Sequence, residues 1–186
     1  MSSQVAELPR GTGTCPELLT AAVRRAVRSG GSWQQTADRV VDALRGRLPA
    51  PRELSSVLLT PGQLAGDPGG YQTNLVHAEP DGSFSIVVMV WLPGQETAIH
   101  DHLSWCCTAV LDGTEYEEVF AVRGDHLEVV ARNANPAGTV VGFAPPGDVH
   151  QVRNIGSTTA VSLHVYGTDI SRVGSSVRRV YDLPVR

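Results

Sequence analysis

Residues 84–92, Phe-Ser-Ile-Val-Val-Met-Val-Trp-Leu, constrain this chain more than any other stretch. With apolar side chains at almost every position, such a strand has no solvent face and must be covered on both sides. That demands layers around it rather than a half-wet hairpin. The chain supplies the neighbours. Further β-type runs lie near 71–78, 97–102, 105–111, 115–121, 126–131, 139–143, 148–153 and 159–166. Turn signals such as Asp81-Gly82, Pro93-Gly94, Asp112-Gly113, Ala137-Gly138 and Pro145-Pro146-Gly147 separate them. Many short strands at roughly even spacing predict an all-β core, a sandwich or a barrel.

The first third reads differently. Residues 1 to 15 are polar and read as a frayed arm. From Pro16, residues Leu18, Leu19, Ala22, Val23, Ala26 and Val27 follow helical spacing until Gly30-Gly31. Ser32 is a candidate N-cap for a second helix from Trp33 to Arg47. A short third helix is expected around Leu54 to Leu58, with the helical part ending near Thr60-Pro61-Gly62. Residues 1–62 are read as an arm and helices belonging to the same domain as a β-barrel over 63–186.

Composition narrows the partners. A net charge of −4 argues against nucleic acid or an anionic membrane as the target. All fifteen basic residues are Arg, which excludes Schiff-base lysine chemistry. The three cysteines Cys15, Cys106 and Cys107 cannot build a disulfide framework, and no apolar run approaches membrane-spanning length. A reduced, cytoplasmic setting is the expectation.

His100 and His102 stand two residues apart in a β-type run, so their imidazoles point the same way and converge on one small volume. His150, after the tight turn at Pro145-Pro146-Gly147, is the candidate third ligand. Three neutral imidazoles would leave a divalent metal its full charge and open positions, and zinc, iron and manganese are all compatible. His77 and His126 lie outside this pattern and are read as ordinary residues. In the run Ser162-Leu-His164-Val-Tyr166 the polar residues share one strand face and Val161, Leu163 and Val165 the other. A hydroxyl, an imidazole and a phenol on one face can act as a relay.

The arrangement Gly94-x5-His100-x-His102-x3-Cys106-x6-Gly113, followed by Pro145-x-Gly147-x2-His150-x3-Asn154, resembles the two motifs of the cupins, which are double-sheet jelly rolls. Cys106 stands where most cupins have a metal-binding glutamate. With the Ser-x-His-x-Tyr strand, with Tyr71-Gln-Thr-Asn and with His164-Val-Tyr-Gly, the chain resembles the thiol dioxygenases, the family of cysteine dioxygenase and 3-mercaptopropionate dioxygenase. The likeness spans roughly Tyr71 to Asp182. It implies a mononuclear Fe(II) centre held by His100, His102 and His150, and addition of both atoms of O2 to the sulfur of a small thiol, giving a sulfinic acid. Tyr166, oriented by His164 and Ser162, would face the reacting oxygen.

The same resemblance raises a Cys–Tyr thioether, for which strand parity favours Cys106 over Cys107 as the partner of Tyr166. It also implies a carboxylate-bearing substrate such as L-cysteine, or alternatively 3-mercaptopropionate. Thr73 occupies the position at which mammalian-type members carry a carboxylate-binding Arg. Tyr71 and Thr73 are therefore substrate-binding candidates, with Arg172 as the expected carboxylate partner and Arg178 and Arg179 as alternatives. Two other readings are an isomerase or carbon-oxidising cupin with another metal, and a cupin that only binds a ligand.

Overall fold

The computed structural model describes residues 15–53 and 58–186. The expected N-terminal arm and most of the expected helix around Leu54 to Leu58 lie outside the described residues, and Leu58 itself sits in a turn. Two helices come first, α1 (Cys15–Arg28) and α2 (Trp33–Leu44). Ser32 caps α2 as expected: its hydroxyl accepts from the Gln35 amide at 3.2 Å, and the Gln35 side chain accepts from the Ser32 amide at 2.9 Å. The helix ends at Leu44, three residues short of the expected Arg47, because Arg45 leaves helical geometry. Thr60 does not close the helical part but opens another turn, α3 (Pro61–Leu64), with a second reciprocal cap to Gln63.

All nine expected strands are present, with ends moved by a few residues: β1 (Gln72–Ala78), β2 (Ser85–Trp91), β3 (His100–His102), β4 (Cys106–Asp112), β5 (Thr114–Arg123), β6 (His126–Pro136), β7 (Val140–Phe143), β8 (His150–Arg153) and β9 (Ala160–Tyr166). A one-turn helix α4 (Ile170–Val173) and a tenth strand β10 (Val177–Val180) follow. Arg178 and Arg179, the alternative carboxylate partners, lie in this last strand. The strands form two five-stranded antiparallel sheets, β1-β2-β9-β4-β7 and β10-β3-β8-β5-β6. This is the cupin jelly roll with an N-terminal helical segment. Among the described residues no helix is long and apolar enough to cross a membrane.

β2 is buried at every position. One face of the first sheet packs Ile86, Val88, Val90, Leu163, Val165 and Cys107 against Leu19 and Val23 of α1 and Ala37, Val40 and Val41 of α2. Each fully buried Val, Leu or Ile of this layer contributes roughly 1.5–3 kcal/mol. The helix contact leaves no spare room: a Cβ on Gly142 would stand 2.8 Å from Val41 Cγ2. An ion pair fastens α1 to the β1–β2 turn. Arg24 donates to both oxygens of buried Glu79 at 2.6 and 2.7 Å, and His77 Nε2 lies 2.8 Å from the second oxygen. The Arg24 hydrogen bonds hold the Glu79 carboxyl down at about 2, against the opposing effect of burial. His77 is thus taken up by Glu79, and half-buried His126 pairs with its neighbour Asp125.

Candidate metal centre

The second sheet supplies the imidazoles. His100 lies directly opposite His150 across β3 and β8, and His102 returns to the same face two residues on. All three are buried, and their ligand atoms fall within 4.8 Å of one another. Each Nδ1 is taken by an acceptor: the Ala98 carbonyl at 2.9 Å from His100, Asp148 Oδ2 at 3.2 Å from His102, and Glu117 Oε1 at 2.7 Å from His150. A carbonyl and an ionised carboxylate can only accept, so Nδ1 carries the proton and Nε2 keeps its lone pair. That is the tautomer a metal requires, with the ring orientation already fixed.

The local electrostatics agree. Burial pulls the His100 imidazole down to about 3 and also lowers His102, so both rings are neutral near pH 7. Burial alone would push Glu117 and Asp148 up, but hydrogen bonds from His150 and from the His102 ring and backbone keep each below its ordinary value. The Asp148 and Glu117 carboxylates behind the imidazoles provide negative charge where a divalent cation would sit. The donor set therefore fits a metal ion.

The first sheet supplies the opposite wall. Along β9, Ser162, His164 and Tyr166 turn inward. Ser162 Oγ lies 2.9 Å from His164 Nε2, and His164 Nδ1 lies 3.3 Å from the Tyr166 hydroxyl and 3.2 Å from Thr108 Oγ1. Trp91 Nε1 donates to Ser162 Oγ at 3.0 Å, and Glu115 Oε1 stands 3.6 Å from His164 Nε2. The Tyr166 ring stacks over His102 with centroids 6.1 Å apart, which brings the relay and the imidazole cluster together. Burial raises the Tyr166 phenol well above its ordinary value.

Cys106 faces Tyr166 directly in the β4–β9 register and packs in the same cluster. Cys107 faces the other way, its Sγ donating to the Ala37 carbonyl of α2 at 3.3 Å. Burial pushes both thiols upward.

Between the sheets lies a cavity of about 190 Å³, bordered by the three histidines, Cys106, His164 and Tyr166. Tyr71 and Thr73 reach it, Tyr71 stacking on Trp91 at 4.6 Å, and Ser175, Ser176 and Val177 close it on the side of β10. Arg172 does not. Its Nε pairs with Asp169 Oδ2 at 3.0 Å and its Nη2 donates to the Pro80 carbonyl at 3.3 Å, leaving the side chain 65% exposed. Asp169 caps α4 three residues earlier and captures the guanidinium locally, so the expected carboxylate partner is corrected. The alternatives are also engaged elsewhere. Arg178 pairs with buried Asp101, which also accepts from the Tyr181 hydroxyl at 2.8 Å, and Arg179 lies over the Tyr181 ring at 5.6 Å. Among the described residues no Arg borders the cavity.

Sequence reasoning missed Asp148, Glu117 and Asp101 around the imidazoles and Trp91, Thr108 and Glu115 behind the relay. For two of them a signal was present: Glu115 and Glu117 stand at i and i+2 on β5 and share a face with one another, as paired strand residues do.

A family model described as cysteine dioxygenase type I matches residues 64–178. Among solved structures the chain is similar to a protein of Thermus thermophilus, at 22% identity and a TM-score of 0.45 over 55% of this chain and 87% of that one. It is similar to a double-stranded β-helix protein of Klebsiella pneumoniae, at 21% identity and 0.44 over 55% and 81%. It is also similar to a cupin 2 conserved barrel domain protein of Salinispora arenicola, at 24% identity and 0.41 over 56% and 80%.

Proposed function

The chain belongs to the cysteine dioxygenase type I family of metal-dependent cupins, and on that premise we propose that it is an Fe(II)-dependent thiol dioxygenase. The reaction adds both atoms of O2 to the sulfur of a small thiol: the S–H compound is oxidised to a sulfinic acid and O2 is the oxidant, with no further reductant. One observation carries the reading. Three imidazoles with free Nε2 atoms share a cavity with a hydroxyl–imidazole–phenol series and with a cysteine in place of a fourth ligand.

Fe(II) bound by the three imidazoles would supply the redox chemistry and hold the thiolate and O2 together. Everything else is the work of the chain. Ala98, Asp148 and Glu117 hold the rings in place. Met89, Val152, Ile170 and Val177 supply the apolar part of the cavity wall. Tyr166 stays a protonated phenol in that setting, and His164 Nδ1, 3.3 Å away, can hold or return its proton. Cys106 and Tyr166 are the pair for a thioether, in which an S–C bond would replace the thiol S–H and one ring C–H with O2 as the two-electron oxidant, leaving the intact protein two hydrogen atoms lighter.

The substrate reading changes with the loss of Arg172. The polar end of the thiol meets the hydroxyls of Tyr71, Thr73 and Ser176 rather than a guanidinium. A carboxylate is therefore dispensable, and L-cysteine and 3-mercaptopropionate are not privileged over cysteamine or 2-mercaptoethanol. The free thiols of Cys106 and Cys107 support a reducing, cytoplasmic setting, with O2 and a small thiol as the partners.

The test is anaerobic reconstitution with Fe(II), followed by O2 consumption and sulfinate formation with those four thiols. One O2 consumed per sulfinate formed is expected, with the two carboxylate-free thiols turned over at least as well as the others. No uptake with any thiol overturns the dioxygenase reading. A strict demand for a carboxylate overturns the substrate reading alone.

A further inference from the structure

Behind the relay, Glu115 has no assigned task. It is 3% exposed, and its Oε1 is one of two buried side-chain polar atoms without a hydrogen-bond partner among the described residues. Burying a carboxylate with nothing to compensate it is unfavourable, so the cationic or donor groups around it matter. His164 Nε2 stands 3.6 Å from that oxygen. We propose that Glu115 is the positioning residue of the relay: its carboxylate keeps the proton of His164 on Nε2, so that Nδ1 offers its lone pair to the Tyr166 hydroxyl.

Hydroxyl groups alone do not decide which nitrogen is protonated. Nε2 faces Ser162 Oγ at 2.9 Å, while Nδ1 faces Thr108 Oγ1 at 3.2 Å and the Tyr166 hydroxyl at 3.3 Å. Each of these oxygens can donate or accept. Ser162 Oγ already accepts from Trp91 Nε1 at 3.0 Å, which leaves it one further lone pair and its own proton. A carboxylate breaks the symmetry, because it only accepts and its charge repels a lone pair on Nε2. With the proton on Nε2, the Tyr166 O–H points to Nδ1 and the phenol oxygen turns its other lone pair to the cavity. A proton released by the phenol then moves to Nδ1, and Glu115 offsets the resulting imidazolium charge. Carboxylate, imidazole and hydroxyl stand in the same order as in hydrolytic triads. No bond other than O–H and N–H changes.

The placement of the proton can be read without metal or substrate, by ¹⁵N–¹H correlation through the ring protons of ¹⁵N-histidine-labelled, metal-free protein. His164 is identified by the signal missing in His164→Gln. Wild type should show His164 protonated on Nε2 only. In Glu115→Gln, of equal size but able to donate an amide N–H to Nε2, the Nδ1-protonated form should become the major one. The effect on turnover rests on the thiol-oxidation reading: with Fe(II) content unchanged, kcat should fall on the order of tenfold while KM stays within about twofold. A proton on Nδ1 of the wild type overturns the proposal, and so does an unchanged tautomer in the variant. If Glu115→Gln does not fold, the wild-type spectrum still decides. A changed tautomer with unchanged kcat overturns the catalytic consequence. Failure of the wild type to oxidise any thiol leaves the spectroscopic result standing and falls on the reaction instead.

Discussion

The first sheet has two faces, made from alternate residues of the same strands. On the helix side, Ile86, Val88, Leu163, Val165 and Cys107 meet α1 and α2 in a dry, apolar layer. On the cavity side, Met89, Ser162, His164, Tyr166 and Cys106 border or back the metal centre. Backbone, burial and neighbours in sequence are shared, so the difference lies in what each face demands. Apolar packing asks for volume, and groups of similar size can exchange. The cavity face asks for particular atoms at hydrogen-bonding distance, and size alone replaces none of them. Adjacent residues on one strand should therefore fail in different ways when altered.

The sharpest break is expected at Tyr166. Tyr166→Phe keeps the ring and removes the hydroxyl beside His164, so turnover of the Fe(II)-loaded enzyme should fall about 100-fold with no loss of melting temperature. Retained turnover would make the inner face a packing surface like the outer one. Three residues earlier, Leu163→Ala acts on the helix side. It should cost about 3 kcal/mol of stability, read from a denaturant midpoint, while kcat per bound iron stays at the wild-type value. A parallel loss of kcat would show that the two faces are not independent.

The smallest effect concerns the staple beneath α1. The folded Glu79 carboxyl sits at about 2, below its unfolded value of 4.5. A depressed acid stabilises the fold above its unfolded value, and that contribution fades as pH falls from there through the folded one. Glu79→Gln should therefore lower stability at neutral pH and flatten its fall between about pH 5 and about pH 2. Denaturant midpoints measured along that range check it, and an acid limb as steep as in wild type would assign the transition to other carboxylates.

Legibility in the sequence followed the range of the interactions. β2 announces itself because burial on both faces writes an unbroken apolar run. The period of two puts His100 with His102 and Ser162 with His164 and Tyr166, since face sharing is a local property. It also turns Cys106 and Cys107 to opposite sides. β10 was not legible: Val177-Arg178-Arg179-Val180 has the composition of a solvated tail, and it becomes a strand against β3, where Arg178 reaches Asp101, 77 residues earlier. Arg172 was misread for a related reason. A guanidinium near the right strand looks available until Asp169 is seen to be its partner. Glu115 and Glu117 read as the polar side of a hairpin, and only the arrival of β8 and β9 gives them histidines to face.

The indole of Trp91 touches the relay through Ser162 and stacks on Tyr71 at the edge of the cavity. Trp105 is buried on the helix side, and Trp33 is half exposed on α2. The molecule thus carries three tryptophans in three surroundings, one of them beside the histidine cluster. Loading that centre with a paramagnetic ion should quench the Trp91 emission selectively, so that metal occupancy can be followed by light without any label.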